Sequence, residues 1–330
     1  MIKRFFILIL GAALIAAAMF ATWLVLFVHK PVVPPVLPFE FSVKHGSTLK
    51  SAARDIAASG LPISPLQFEM MARLMGKGRD VKAGTYQLSG PITPFDLLTK
   101  LRIGDAIHSE ITFIEGISFG QMRKVLAGHA GLKQDTVKLS DKAILKQVGA
   151  HEAHPEGLFF PDTYKFSSGM SDLAILKQAY QAMHSMLSKQ WEKRAPGLPY
   201  KTPYEALIMA SIVEKETGKA EERSHIAGVF VNRLKRGMKL QTDPTVIYGI
   251  GEAFDGNIRK RDLSADTPYN TYTRVGLPPT PIAMPGLAAI EAALQPAATE
   301  DLYFVARRDG SHHFSKTLEE HNRAVAKYQK

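Results

Sequence analysis

Two glutamates raise the first chemical question. Glu214-Lys215-Glu216 closes a run, Ala206-Leu-Ile-Met-Ala-Ser-Ile-Val213, that is apolar on nearly every side. A helix apolar all round is buried, so both carboxylates fall on the last turn of a buried helix. Partial negative charge gathers at a helix C-terminus, which disfavours a carboxylate there and raises its pKa; desolvation raises it further. A carboxylic acid kept protonated near neutral pH is the general acid that glycosidic bond cleavage needs. The plainer reading is two ordinary solvated residues at a helix end. Two positions apart, the glutamates stand about 200° apart on the helix and cannot both face one substrate. Glu216 continues the stripe of Met209, Ile212 and Val213, and Glu214 that of Leu207, Ala210 and Ser211. The wheel does not choose between them.

Downstream, Gln241, Thr242 and Asp243 precede a proline and read as an extended turn before a short helix. Tyr269-Asn270-Thr-Tyr272 and Gly276-Leu-Pro-Pro-Thr-Pro-Ile282 are loops rich in amide, hydroxyl and aromatic groups. Amides suit sugar hydroxyls and N-acetyl groups, and aromatic faces suit the apolar faces of sugar rings. Each such residue alone is ordinary turn chemistry; their density in one stretch is harder to dismiss. His312, His313 and His321, with Glu319 and Glu320 nearby, invite a metal, but no HExxH occurs and the spacing matches no ligand set. No metal and no cofactor are expected. The sequence holds no GxSxG, P-loop or GxGxxG, and no cysteine, so a Cys nucleophile, a disulfide framework, a zinc–thiolate site and an iron–sulfur cluster are excluded.

The elements that must hold these groups can be read from stop and start signals. Thr202 at the N-cap, Pro203 at N1 and Glu205 at N3 predict a capping box, and Gly218 a C-terminal stop. A second helix is expected over Ala220–Arg236, ended by Gly237, with Ile226, Val229, Phe230 and Leu234 inside. Its Asn232 and Arg233 either reach a cleft or cap structure. Nearer the N-terminus, Phe41–Val43 reads as a strand. A helix follows an N-cap at Ser47 and runs through Leu49, Ala52, Ala53, Ile56 and Ala57. Pro65–Met75 is helical, Ala83–Leu88 a strand, and Thr93-Pro94 starts a helix that Gly104 stops. This compact strand–helix–helix–strand unit carries no catalytic set and reads as a binding module. Further on, a strand is expected at Ser109–Ile114 and helices near Gln121–Gly131, Asp141–Val148 and Asp172–Gln190.

The N-terminus places the protein. Lys3 and Arg4 precede two dozen uncharged residues, Phe5 to Val28, closed by His29 and Lys30. As a helix this run is about 36 Å long, enough to cross a hydrocarbon core of about 30 Å. A cleavable signal peptide would have a shorter apolar core followed by a small-x-small site, which Ala16-Ala17-Ala18 only mimics. The expectation is an uncleaved anchor with Lys3 and Arg4 in the cytoplasm and the rest outside, in the periplasm of a bacterium. Pro31 to Pro38, with four prolines, predicts a semi-rigid spacer that lifts the folded part off the bilayer. Lys and Arg number 41 against 31 Asp and Glu, a charge of +10 over 330 residues. That favours a polyanion or plain solubility, and the location outside the cytoplasm sets nucleic acid aside.

Several ordered motifs resemble the endolytic murein transglycosylase (YceG-like) family. They are Glu156-Gly-Leu-Phe-Phe-Pro-Asp-Thr-Tyr164, Ala210-Ser-Ile-Val-Glu-Lys-Glu-Thr217, Val229-Phe-Val-Asn-Arg-Leu234 and Leu240-Gln-Thr-Asp-Pro-Thr-Val-Ile-Tyr-Gly249. Tyr269-Asn-Thr-Tyr272, Gly276-Leu-Pro-Pro279, Tyr303-Phe-Val and His321-Asn322 follow in order. The resemblance implies an α+β protein with a single N-terminal transmembrane helix, a small LysM-like module and a larger α+β catalytic domain. The corresponding bounds are an anchor at 1–30, a spacer at 31–40, the module at 41–105 and the catalytic domain at 106–330. It implies cleavage of the β-1,4 bond between N-acetylmuramic acid and N-acetylglucosamine within peptidoglycan strands, leaving 1,6-anhydromuramyl ends and terminating nascent strands near the synthesis machinery. It maps the catalytic acid to Glu216, with Glu214 as the alternative.

A lytic enzyme needs one carboxylate where a hydrolase uses two. Gln241, Asp243, Tyr269 and Asn270 are then the candidates for positioning sugar; Asp243 alone could serve as a second acid, and Glu156 is expected to be structural. The expected partners are peptidoglycan glycan strands, the inner membrane through residues 5–28, and peptidoglycan synthases. The rival class is a non-catalytic peptidoglycan-binding scaffold of the wall-synthesis machinery, which needs no acid at Glu216.

Overall fold

Capping residues start most of the helices. In the computed structural model the described residues are 2–44, 46–78, 81–106 and 109–329; the side chains of residues 2–8, Lys3 and Arg4 among them, lie outside the described set. Thr48, Thr93, Ser118, Ser140, Ser171, Thr202 and Thr317 each accept a backbone N–H of the first turn, satisfying donors that a helix start leaves unpaired. In order the elements are α1 (Ile2–His29), β1 (Phe39–Val43), α2 (Leu49–Ala58), α3 (Pro65–Leu74), β2 (Gly84–Leu88), α4 (Pro94–Ile103) and β3 (Ser109–Thr112). Then come α5 (Phe119–Ala127), β4 (Leu132–Lys133), α6 (Asp141–Val148), β5 (Thr163–Phe166), β6 (Met170–Ser171), α7 (Asp172–Glu192) and α8 (Pro203–Glu216). The last are α9 (Arg223–Lys235), α10 (Asp243–Ile250), α11 (Lys260–Ser264), α12 (Leu287–Leu294), β7 (Tyr303–Ala306), β8 (His312–Ser315) and α13 (Leu318–Tyr328). The strands form two-stranded pairs: β1 with β2, β3 with β5, β4 with β6, β7 with β8.

The chain divides into two compact units, Met1–Glu110 with Lys165–Met170, and Ile111–Tyr164 with Ser171–Lys330. In the first, β1 and β2 are antiparallel from Phe39 opposite Leu88 to Val43 opposite Gly84. The inward residues of that ribbon, Phe41 and Tyr86 among them, close on Ile56, Phe68, Met71, Leu97 and Leu101. The N-cap of α2 is Thr48, one residue later than Ser47. Residues Ile9–His29 of α1 have a mean hydropathy of 2.3, long and apolar enough to cross a membrane. The Pro31–Pro38 segment, expected as a semi-rigid spacer, is fastened to the first unit. Val32 and Ile92 exchange backbone hydrogen bonds at 2.8 and 3.0 Å, Pro34 is buried, and Leu24, Phe27 and Val28 of α1 pack on the same core. A proline-rich segment has few donors to share, but one bridge suffices to tie it down.

The second unit is built around α8, whose residues from Ala206 to Val213 are all buried and which packs against α7, α9, α10 and α12. Its capping differs from the expected box by one residue: Thr202 accepts the Glu205 N–H, but Glu205 accepts from Lys201 rather than from Thr202. Helix α9 is shorter than expected, because Ala220–Glu222 is a separate 3-10 turn. The hairpin of β7 and β8 pairs antiparallel, Tyr303 opposite Ser315, and α13 packs on both strands.

Candidate active site

Helix α8 ends at Glu216. Thr217 breaks it in an extended conformation (φ −143°, ψ 136°), so the stop is made by a threonine leaving the helix and not by Gly218. That break turns the last carboxylate away from the buried stem and into a cavity of about 500 Å³. Arg233, Gln241, Asp243, Tyr272, Tyr303 and His312 line it, with His321 and Asn322 of α13 on the far wall. Glu214, most of a half-turn away, takes a different place. Its Oε2 accepts the Gly286 N–H at 2.9 Å, at the start of α12, and its Oε1 lies 4.0 Å from Arg223. One glutamate lies in the cavity and the other pins a helix start.

The Thr242 hydroxyl donates to Glu216 Oε2 at 2.8 Å. Burial raises the Glu216 pKa, and the Asp243 charge adds to this; the Thr242 hydrogen bond, His312 and Arg233 oppose it. Burial also raises Glu214, against the Gly286 N–H, so a raised pKa does not separate the two acids. Position does: Glu216 faces a cavity and Glu214 faces backbone.

The rest of the wall is fixed by hydrogen bonds. The Tyr272 hydroxyl donates to Asp243 Oδ1 at 2.6 Å; burial and that carboxylate raise the phenol, so it stays a neutral donor. Arg233 Nε donates to Leu302 O, and Nη1 donates to Leu240 O and to Gln241 Oε1. Its guanidinium lies 5.1 Å from the Tyr303 ring centre, within reach of a cation–π contact. His312 Nδ1 is 2.7 Å from Glu222 Oε2. Gln241 has φ +51°, a left-handed conformation uncommon outside glycine and often met at functional sites. Its N–H is tied to Thr271 O at 3.1 Å.

Of the residues singled out in the sequence, Glu216, Gln241 and Asp243 come together here. Tyr269 and Asn270 do not line this cavity. The Tyr269 hydroxyl meets that of Thr280 at 2.9 Å, and its ring stands edge-on to Tyr248. The Asn270 amide reaches the carbonyls of Asp262, Leu263 and Ala265, and its oxygen accepts the Tyr272 N–H. It shapes the loop that carries Tyr272. Of the two alternatives open for Arg233, it takes the one that reaches the cavity. Thr242, Tyr272, Tyr303 and His312 join it without having been sugar-positioning candidates; the first three lie inside the quoted motifs and His312 among the histidines weighed for metal. Glu156 is buried and accepts from the Phe119 N–H and the Tyr248 hydroxyl at 2.9 and 3.0 Å. Among the described residues no group of three or more His, Asp or Glu is arranged to hold a metal.

The sequence profile of the YceG-like family matches residues 41–327. The endolytic murein transglycosylase of Bacillus subtilis (strain 168) is 33% identical over 309 residues, which cover 87% of this chain and 84% of the relative. The protein of that name from Streptococcus pneumoniae serotype 2 (strain D39) is 29% identical over 320 residues; these cover 87% of this chain and 57% of the longer relative. Among solved structures, a yceG-like protein from Listeria monocytogenes superimposes with a TM-score of 0.55 at 30% identity, covering 86% of this chain and 98% of that one.

Proposed function

The chain belongs to the YceG-like family, and from that membership we propose that it is a peptidoglycan lytic transglycosylase with Glu216 as its acid. The observation that carries the assignment is the placing of Glu216: a partly buried carboxyl at a helix end, held by one hydroxyl and open to a cavity of sugar-sized volume. The reaction runs on this chain's own groups. Protonated Glu216 gives its proton to the glycosidic oxygen between N-acetylmuramic acid and N-acetylglucosamine as that bond breaks. The substrate's N-acetyl group stabilises the developing cation. The Glu216 carboxylate then takes the proton of the muramyl C6 hydroxyl, which attacks C1 and closes a 1,6-anhydro ring. No water enters, and the acid is regenerated. Asp243 is the second carboxyl in the cavity; committed to Tyr272, it serves to keep Glu216 protonated and to orient the sugar, with Gln241 and Tyr272.

Around this centre the reading extends to the whole chain. Helix α1 is the inner-membrane anchor, with Lys3 and Arg4 in the cytoplasm and the second unit in the periplasm. The α2–α3 and β1–β2 unit is a LysM-like module for glycan. Cutting within nascent strands near the peptidoglycan synthases would terminate them.

The deciding experiment digests purified peptidoglycan with the full chain, as wild type and as Glu216→Gln, with products read by mass spectrometry. Anhydromuramyl ends from the wild type, reduced by about three orders of magnitude in the variant, are expected for loss of a general acid. Reducing ends would mean a water-using hydrolase with Asp243 as base. Equal product from both proteins would remove Glu216 from the role, and no product from either would favour the scaffold.

A further inference from the structure

The first unit carries an apolar face that neither its core nor the reaction uses. On α3, Leu66, Met70 and Leu74 stand at i, i+4 and i+8, on one side of the helix. Leu66 is 74% exposed and Leu74 57%. Val33, Val36 and Leu37, just beyond α1, are exposed as well. Apolar residues scattered singly over a surface need no explanation. These are not scattered. Gln67, next to Leu66, closes a cleft of about 730 Å³ with the last turns of α1, from Trp23 to Lys30. Pro35 Cγ would lie 4.0 Å from a Cβ built on Gly60, which brings the Val33–Leu37 segment beside the loop leading into α3.

The length of α1 sets the depth of this face. About 20 helical residues cross the hydrocarbon core, so a span entering at Phe5 leaves it near Leu24. Trp23 stands at that level, where amphipathic rings collect. Yet Leu24, Phe27 and Val28 are the residues that pack on the core of the first unit, and the chain is bridged to it at Val32. No length of free chain separates the span from the folded unit.

We propose that the α3 stripe and the Val33–Leu37 segment are seated in the headgroup–acyl boundary of the bilayer that α1 spans, so that the first unit is a membrane-embedded foot. The occupant of the apolar face is phospholipid. Continuity with the span argues for it, since any partner covering Leu66 must share space with lipid around Trp23 and Lys30. The proposal rests on the anchor reading of α1.

The chain has no cysteine, so single labels are clean. The full chain is prepared as Leu66→Cys, Leu74→Cys, Val36→Cys, Ile15→Cys and Lys50→Cys, each carrying an environment-sensitive fluorophore. Each is reconstituted in phosphatidylethanolamine–phosphatidylglycerol vesicles, with quencher lipids labelled near the headgroup or at mid-chain. Labels at 66, 74 and 36 are expected to be blue-shifted and quenched several-fold more by the shallow quencher than the label at 50, which iodide in the water quenches. The label at 15 must respond to the mid-chain quencher. If it does, and those at 66, 74 and 36 are as open to iodide as that at 50, the foot is refuted while the anchor stands. Labels shielded from iodide but indifferent to lipid quenchers would mean that a second copy covers the face, which also overturns the proposal. An aqueous label at 15 would overturn the anchor and the foot together.

Discussion

At the scale of single residues, the proposed role of Glu216 turns on one proton's affinity. Burial and then the Asp243 charge raise the Glu216 pKa, while Thr242, His312 and Arg233 pull the other way. An acid must be protonated to act, so activity is present below its folded pKa and falls as pH rises through it. Asp243→Asn removes a charge that raises this pKa, and the alkaline limb of kcat/KM should move to lower pH; a pH–rate series on isolated glycan strands measures it. Glu156 offers a separate test by stability. Burial pushes its pKa up to about 7 from 4.5, against the Phe119 N–H and the Tyr248 hydroxyl. The folded state therefore holds the proton more tightly than the unfolded state. Stability should decline as pH rises from about 4.5 to 7, by about 3 kcal/mol from this group. Glu156→Gln should flatten that part of the profile, read by urea denaturation at each pH.

At the scale of elements, the sequence located α8 and its buried stem because an all-round apolar run with a capped start admits one environment. Thr202→Ala should cost about 1 kcal/mol by loss of the N-cap, seen as a lower denaturation midpoint. Ser211 is buried, donating to Ile208 O and accepting the Ile282 N–H. Ser211→Ala would strand that N–H at a cost of about 1–3 kcal/mol. Gly228 is tighter still, since an added Cβ would lie 2.6 Å from Ala297 O; Gly228→Ala should destabilise the second unit, measured by thermal melting. Where α8 stops was harder to read, because Gly218 carries the composition of a stop while Thr217 makes the turn. The same limit applied to the loops. Tyr269, Asn270 and Tyr272 all carry hydrogen-bonding groups within four positions, and the Asn270 amide, bonded to the carbonyls of Asp262, Leu263 and Ala265 and to the Tyr272 N–H, ties the loop that carries Tyr272 to the cavity. Amphipathic periodicity cannot resolve orientation inside a loop.

At the scale of the whole molecule, the long apolar N-terminal helix, the strand–helix–helix–strand run of β1, α2, α3 and β2, and the Glu216 helix were legible because each rests on a local pattern. The boundary between the units was not, since Lys165–Met170 joins the first unit from over fifty residues downstream. Phe166 is buried there, Lys165 reaches Glu110 at 3.5 Å, and Ser167 crowds Gly84. A fragment of residues 31–110 should melt lower than the same fragment with residues 165–170 joined to its end, a comparison made by circular dichroism. This interleaving also bears on how the protein is made. On the proposed topology, a chain threaded outward from its N-terminus would deliver β1 to α4 early, while β5 would emerge only after the residues from Ile111 to Asp162. On the proposed anchoring by α1, the nascent protein would be tethered during that interval with its first unit unfinished, and export and folding would be coupled by the order of the chain.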